Sequence, residues 1–412
     1  MSLKDINNPT HPNYGWVVMG QLWYVDICIQ LIFFSVGILL PIWRDELGIT
    51  PFQSGILGAV GFLGFGLISI PSGLMLTKYN PRKVTFVFTF FMAIFAFAHG
   101  LATTPLILIF SRFGFTVSMV CRVQVQVLFI QKWFSNNLYP VINSIEMGTR
   151  ALGQLITFAV TSYLVVFLGG WEAFHFLIGV LLLLFLPSWL LFGKERNSHG
   201  VEEKLPEYSG NPISILKRQK TVWIIAGAQI GAAVSFACFV TFYPTFLIDN
   251  MNMNLKQAGF LMSVFPIGSV FGSFTAGSIS QFIGRRKPLI WIPGIILPVC
   301  YMLILHVENQ YMLGSILFIM GFGAFVVPPI LFTIPLDMRL KPQEIVIALG
   351  LIRTLFPVGA TIGPLVVGLI LGTTGSLYTG LLIVSPMALT LFVGGLLLPE
   401  TGPSSIRTDD DN

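Results

Sequence analysis

The sequence predicts an all-α membrane protein with twelve transmembrane helices, and three observations support this. Hydrophobic residues make up 54% of the 412 positions and charged residues only 10%, with a mean hydropathy of +0.81. The apolar residues fall into twelve runs, and a single long polar stretch divides these runs six and six. A soluble protein carries roughly 25% charged residues, so this composition excludes a water-covered globule as well as a disordered chain.

Each predicted span is an apolar run of about 20 residues or more, enough to cross a hydrocarbon core of about 30 Å, and is bounded by charged or turn-forming residues. The runs of the first half are 15–42, 53–76, 84–102, 105–130, 138–168 and 171–193. The runs of the second half are 221–247, 257–283, 288–306, 310–336, 343–372 and 376–398.

The distribution of basic residues predicts the orientation. With the N-terminus in the cytoplasm, 17 of the 23 lysines and arginines fall on cytoplasmic segments. Only Arg44 and Lys256 fall on exterior segments, and the other four lie within the spans. Cytoplasmic loops of membrane proteins are enriched in Lys and Arg, so we expect both termini in the cytoplasm. The same bias accounts for the sequence pI near 9.0 without a nucleic-acid partner.

The polar stretch predicts the domain organisation. We expect an N-terminal six-helix bundle over 1–193, a cytoplasmic linker over 194–220, a C-terminal bundle over 221–400 and a disordered tail over 401–412. An internal repeat supports this division. GLMLTKYNPRK begins at Gly73 near the end of span two, and GSISQFIGRRK begins at Gly277 near the end of span eight.

The repeated loop, the twelve spans and the central linker together resemble the major facilitator superfamily. The resemblance implies two pseudo-symmetric six-helix bundles around a central cavity, which opens alternately to either side of the membrane. The acidic position of the family loop is Thr77 in the first copy and Gln281 in the second. The basic residues Arg82, Arg285 and Arg286 then serve either as gating contacts or as topology signals.

Apart from Glu172 and Glu344 at the first turns of their spans, six charged residues lie inside the predicted spans: Asp26, Arg112, Arg122, Glu146, Arg150 and Arg353. A charge at the centre of a lone helix costs at least about 2.5–3.5 kcal/mol, so we expect each one to face a partner or a wet cavity. Four arginines against two acids leave an excess of two positive charges. A bound anion would compensate this excess, which favours an anionic substrate.

Arg353 is the first candidate to bind the anionic substrate, and Arg122 is the second. We expect Arg353 just to the cytoplasmic side of the middle of span eleven, with no intramembrane acid in the C-terminal bundle to pair with it. Arg150 lies one turn after Glu146, so it either pairs with that acid or binds substrate. Arg112 lies in SRFGF, which resembles the span-four arginine of many family members. That resemblance implies either packing against a neighbouring span or a part in proton movement.

Asp26 is a candidate for proton coupling, because a carboxyl group in the membrane has a raised pKa unless an arginine neutralises it. A plain bridge from Asp26 to an arginine of span four is the alternative, and Glu146 is the second proton site. We expect His99 and His175 at the outer interface. Four polar or aromatic residues of spans one and seven are candidates for the substrate pocket: Tyr24, Gln30, Gln229 and Tyr243. Interfacial belts or helix contacts are the alternative for these residues.

The sequence predicts a secondary active transporter of a small organic anion, a carboxylate in the first instance, working by proton symport or anion exchange. A proton-coupled exporter of drugs or other lipophilic or neutral solutes is the alternative. We find no enzyme motif, so we expect neither catalysis nor a cofactor, and the scattered cysteines predict no metal site. The expected location is the plasma membrane, and the mechanism requires no second copy of the chain.

Overall fold

A computed structural model describes residues 13–76, 79–135, 138–194, 219–338 and 342–402. Every regular element in these ranges is helical, which confirms the all-α prediction. All twelve predicted apolar runs fall on helices. In the described ranges, eleven helical segments are long and apolar enough to cross a membrane, and a shorter apolar helix spans Pro288–Leu303.

The predicted linker and tail lie largely outside the description, because residues 195–218 and 403–412 are not part of it. Contacts divide the chain into two compact units. Unit 1 comprises Met1–Ile49 and Gly64–Lys204, and unit 2 comprises Thr50–Leu63 and Leu205–Asn412. The boundary at residue 63 therefore lies inside one helix.

The helices of the first half begin with α1, which is followed by a short continuation, α2. Their bounds are Tyr14–Phe34 (α1), Val36–Leu47 (α2), Pro51–Leu76 (α3), Pro81–Gly100 (α4), Pro105–Trp133 (α5), Tyr139–Leu168 (α6) and Trp171–Phe192 (α7). In unit 1, α4 packs against α5 and α7, and α1 packs mainly against α6.

The second half contains eight further α-helices. Their bounds are Lys220–Asp249 (α8), Leu255–Met262 (α9), Val264–Ile283 (α10), Pro288–Leu303 (α11), Gln310–Asp337 (α12), Pro342–Thr374 (α13), Leu377–Val384 (α14) and Leu389–Leu397 (α15). In unit 2, α10 packs against α12, and α8 packs against α13 and α15.

Local sequence explains where several helices start. Asn80 accepts a hydrogen bond from the Lys83 amide at the start of α4, and Thr104 accepts one from Ile107 at the start of α5. Both helices have proline at the first position, where its missing N–H leaves no bond unmade. Asn254 and Gln257 form a capping box before α9.

The tight packing of α10 on α12 depends on glycine. An added Cβ at Gly268 or Gly321 would overlap a backbone carbonyl of the facing helix, that of Phe318 or Phe265 respectively. Glycines allow membrane helices to approach to backbone contact. These helices therefore pack in backbone contact, and α12 contributes lining residues to the pocket described below.

Candidate functional site

A buried polar cluster joins α1 to α5 in unit 1. Arg122 Nη1 lies 2.5 Å from Asp26 Oδ1 and also donates to Gln126 Oε1 at 2.9 Å. Gln126 Nε2 donates to the second carboxylate oxygen of Asp26 at 3.1 Å, and Arg122 Nη2 donates to the Leu22 carbonyl. All three side chains are almost fully buried. The cluster satisfies the Asp26 carboxylate and both terminal nitrogens of Arg122 internally.

A second ion pair lies next to this cluster on α6. Arg150 Nη2 donates to Glu146 Oε1 at 2.5 Å, one helical turn away, as the spacing predicts. Glu146 is also close enough to Gln126, Arg122 and Asp26 to interact with them. Two arginines thus face two carboxylates, so the cluster of Asp26, Arg122, Glu146 and Arg150 carries no net charge.

Arg112 of α5 binds the end of α1. Its terminal nitrogens donate to the carbonyls of Ile32 at 3.2 Å and Phe33 at 3.0 Å, and the guanidinium lies 5.6 Å from the centre of the Phe33 ring. The last carbonyls of a helix lack intrahelical partners and carry partial negative charge. The interruption of the first span at Ser35 therefore has a cationic partner, and Arg112 is buried there.

His99 lies next to the last residue of α4, and His175 lies about one turn after the start of α7. Both rings are fully buried in unit 1 and stacked on one another, with centroids 5.1 Å apart. His99 Nδ1 lies 2.7 Å from the Phe95 carbonyl, and His175 Nδ1 lies 2.8 Å from the Trp171 carbonyl. A carbonyl only accepts, so each Nδ1 carries a hydrogen and donates to its own helix.

Unit 2 contains a pocket with a cavity volume of about 100 Å³. This is below the roughly 300–1,000 Å³ of typical small-molecule sites, so the pocket has room for one compact group of a ligand. Four aromatic rings form much of its wall, those of Phe236, Tyr301, Phe325 and Phe356. Gln229 contributes the one amide side chain, and alanine, leucine, valine and proline side chains complete the lining. Within the described part of the chain, the buried Gln229 Nε2 donates to no protein group. The pocket is apolar apart from this amide and the Tyr301 hydroxyl.

Arg353 is not one of the lining residues of this pocket, but it lies one helical turn before pocket-lining Phe356. It is exposed, and its guanidinium lies 5.5 Å from the centre of the Phe332 ring. Phe332 directly follows pocket-lining Leu331, and Phe356 lies one turn after Arg353 on α13. No described carboxylate forms an ion pair with Arg353. Arg353 lies five residues before the midpoint of α13, Pro342–Thr374, which is about 7.5 Å along the helix axis.

Three of the residues assigned to a substrate pocket make contacts within their own unit. The Tyr24 hydroxyl donates to the Leu181 carbonyl at 3.0 Å, and the buried Tyr243 hydroxyl donates to the Ile304 carbonyl at 3.1 Å. Gln30 packs against Gly153, where an added Cβ would lie 2.8 Å from Gln30 Cγ. Of the four, only Gln229 lines the pocket of unit 2.

The basic loop residues have different surroundings in the two halves. Arg82 Nη2 donates to the Leu190 carbonyl at 2.6 Å. Arg286 Nε lies 3.0 Å from Asp337 Oδ2, and the Arg286 backbone amide donates to Glu400 Oε1 at 2.6 Å. Arg285 is exposed. The second loop therefore obtains its acids from the ends of α12 and α15, although its own acidic position is Gln281.

Several of these residues were missed by the sequence analysis. Gln126 lies one turn after Arg122, and this spacing is a signal that identifies it as a partner. Phe332 and Phe356 are apolar residues among many in their helices, so no sequence signal distinguishes them. In the described ranges, no group of three or more His, Cys, Asp or Glu side chains is placed to hold a metal ion.

Comparison with known proteins places this geometry in a family. The sequence is 23% identical over 398 residues to the "Probable galactarate/D-glucarate transporter GudP" of Escherichia coli (strain K12), covering 86% of each chain. It is 21% identical to the "Putative tartrate transporter" of Agrobacterium vitis, covering 92% of this chain and 88% of that one.

Solved structures agree on the fold. The crystal structure of a bacterial homolog of the human lysosomal transporter Spinster, inward-facing and unoccupied, superposes with a TM-score of 0.77 at 14% identity, covering 93% of this chain and 95% of that one. The model of the Major Facilitator Superfamily matches residues 22–339, which is well over half of the sequence. The chain belongs to the Major Facilitator Superfamily.

Proposed function

We propose that this protein is a secondary active transporter of a small carboxylate, and that Arg353 binds the carboxylate group. The observation that carries the proposal is the state of Arg353. It is exposed, it stacks on Phe332, and no described acid pairs with it. A guanidinium held against an aromatic ring keeps its planar fork available for bidentate binding of a carboxylate.

The relatives support the same class of substrate. One is named as a galactarate/D-glucarate transporter and another as a tartrate transporter, and all three compounds are organic acids. Arg122 and Arg150 were the other candidate ligands. We now assign them to internal ion pairs, since Asp26 and Glu146 already occupy them.

For the architecture we propose twelve spans, with the 16-residue helix α11 as the ninth, arranged as two six-helix bundles that work by alternating access. The basic residues between the spans favour cytoplasmic termini. We place the chain in the plasma membrane as a monomer that carries out no covalent chemistry.

For coupling, we propose Glu146 as the proton site in preference to Asp26. Asp26 is buried and holds two hydrogen-bonding partners, whereas Glu146 keeps about 14% of its side chain exposed. A Glu146→Gln variant in proteoliposomes is expected to lose uptake driven by a pH gradient while keeping exchange of labelled for unlabelled substrate. If uptake still follows the pH gradient, Glu146 is not the coupling group, and if the wild type shows exchange alone, the protein is an anion exchanger.

The substrate class is tested by thermal stabilisation of the purified protein. The panel consists of mono- and dicarboxylates, nitrate, neutral sugars and lipophilic cations. A ligand that binds the folded state raises the melting temperature by mass action, so carboxylates are expected to stabilise the wild type. This stabilisation should disappear in Arg353→Gln. Stabilisation by carboxylates that persists in Arg353→Gln would remove Arg353 from the site.

Export of lipophilic solutes is the second candidate function, and the apolar pocket of unit 2 is the observation that favours it. A lipophilic cation in that pocket would lie close to Arg353, one turn from pocket-lining Phe356, and like charges repel. Stabilisation by lipophilic cations or neutral solutes, and by no anion, would establish this second function in place of the first.

A further inference from the structure

The pocket of unit 2 has a chemical character that limits the substrate. Ten of its twelve lining residues have apolar side chains, and the remaining two are Gln229 and Tyr301. A polyhydroxylated acid needs a partner for each of its hydroxyl groups, because burying a polar group without a hydrogen bond is costly. The pocket offers two polar groups, which are too few for such a ligand.

The position of Arg353 places a cation within one helical turn of the pocket lining. Arg353 and Phe356 share one face of α13, separated by about 4.5 Å along the helix axis, and Phe356 lines the pocket. Phe332, under the guanidinium, follows pocket-lining Leu331 on α12. A ligand with its carboxylate at Arg353 therefore directs the rest of its structure toward aromatic and aliphatic walls.

Gln229 adds one polar contact inside the pocket. Its side chain is only 7% exposed, and its amide nitrogen finds no acceptor among the described residues. A buried donor without a partner is unfavourable, so a ligand that supplies one acceptor there is stabilised. This observation is independent of Arg353, because Gln229 lies on α8.

We propose that the substrate is a monocarboxylate with one compact apolar group, which is aryl or branched alkyl. Besides the carboxylate, the substrate carries at most one hydrogen-bond acceptor. The carboxylate binds Arg353, the apolar group fills the pocket between Phe236, Phe325 and Phe356, and Gln229 donates to the single acceptor. This inference rests on the proposed function, and it separates the substrate from the polyhydroxylated acids after which the two relatives are named.

Binding is measured by calorimetry on the purified full-length protein with phenylacetate, phenylpyruvate, isobutyrate, D-glucarate and phenylacetamide. We expect phenylacetate to bind at least about tenfold more tightly than D-glucarate, and phenylacetamide, which lacks the charge, to bind about tenfold more weakly. Phenylpyruvate, with one carbonyl acceptor, is expected to lose affinity in Gln229→Leu, whereas phenylacetate keeps its affinity.

Two variants change the size of the pocket in opposite directions. Ala232→Leu narrows the pocket. It is expected to weaken the binding of phenylacetate about tenfold and to leave the binding of isobutyrate unchanged. Phe356→Leu widens the pocket and is expected to change the ratio of the phenylacetate affinity to the isobutyrate affinity in the opposite direction. A change that only loosened the fold would weaken both ligands together, so the ratio of the two affinities distinguishes a lining role from a structural one.

The outcomes separate this inference from the function on which it rests. Tight binding of D-glucarate with weak binding of phenylacetate overturns the inference and leaves carboxylate transport in place. An unchanged ratio in both pocket variants also overturns it, because the apolar group then lies elsewhere. If no carboxylate binds while a neutral or cationic solute does, the proposed function fails and the inference fails with it.

Discussion

The two units treat their membrane arginines in opposite ways. In unit 1, Arg122 and Arg150 each contact a carboxylate at 2.5 Å, and Arg112 contacts two helix-end carbonyls. In unit 2, Arg353 is exposed beside an apolar pocket and contacts a ring. A charge whose partners come from the protein stabilises the fold, whereas an exposed charge beside a pocket is available to a ligand.

This difference changes the meaning of the charge balance. The excess of two positive charges predicted from sequence is made up of Arg112 and Arg353, because the other two arginines have acids. The guanidinium of Arg112 donates hydrogen bonds to the carbonyls of Ile32 and Phe33 at the end of α1. One of the two unmatched arginines is therefore structural, and the argument for an anion depends on Arg353 alone.

The largest effect is expected for Arg122→Met, which tests the unit 1 side of the comparison. It leaves the buried carboxylate of Asp26 without its cation, and removing one partner of a buried ion pair costs about 3–5 kcal/mol. We expect a loss of this size in the free energy of unfolding, measured by chemical denaturation in detergent.

The double variant Asp26→Leu with Arg122→Met is the control. It removes both charges, so it is expected to recover most of the stability that the single variant loses. A stable Arg122→Met protein that no longer binds carboxylate would contradict the assignment, because Arg122 would then be a ligand.

Arg112→Met is expected to have the next largest effect. The carbonyls of Ile32 and Phe33 lose a charged donor, and hydrogen bonds to charged groups contribute about 1.5–3 kcal/mol each. The free energy of unfolding should fall by about 2 kcal/mol in Arg112→Met. It should fall less in Arg112→Lys, which keeps the charge. Full stability in Arg112→Met would show that the break in the first span needs no cationic partner.

Arg286→Gln tests a charge of unit 2 that does have acidic partners. Arg286 and Asp337 keep 15% and 18% of their side chains exposed, so their pair is expected to contribute about 1 kcal/mol or less. Exposed Arg285 is the matched control, and Arg285→Gln should leave stability unchanged. If both variants lose equal stability, the Asp337 contact contributes nothing specific.

The smallest effect is expected for Arg150→Gln. This residue keeps 31% of its side chain exposed, and an ion pair one turn apart on a helix contributes about 0.5 kcal/mol. Carboxylate binding, measured by calorimetry, should be unchanged. Loss of binding without loss of stability would make Arg150 a second ligand and weaken the contrast between the units.

The extent of the helices was predictable from sequence, because hydropathy and caps are local properties. The run predicted at 84–102 corresponds to Pro81–Gly100, bounded by Asn80 and the following Leu101. The interruption at Ser35 was not predicted. It involves carbonyls bound by Arg112, which lies 77 positions further along the chain, and no local pattern reports such a contact.

The same reasoning applies to the site. The pairing of Arg150 with Glu146 follows from their spacing, and the bridge from Asp26 to Arg122 was one of two interpretations of residues placed at one level of the membrane. The pocket was not predictable. Its walls come from five helices whose apolar residues look alike in sequence, and its shape depends on how α8, α11, α12, α13 and α15 pack.

A structure of the protein with 4-bromophenylacetate tests the central claim most directly, because anomalous scattering locates the bromine. We predict the carboxylate at the Arg353 guanidinium and the bromine within the pocket bounded by Gln229, Phe325 and Phe356. A carboxylate at Arg122 or Arg112, or a bromine outside that pocket, would contradict the assignment of the two units.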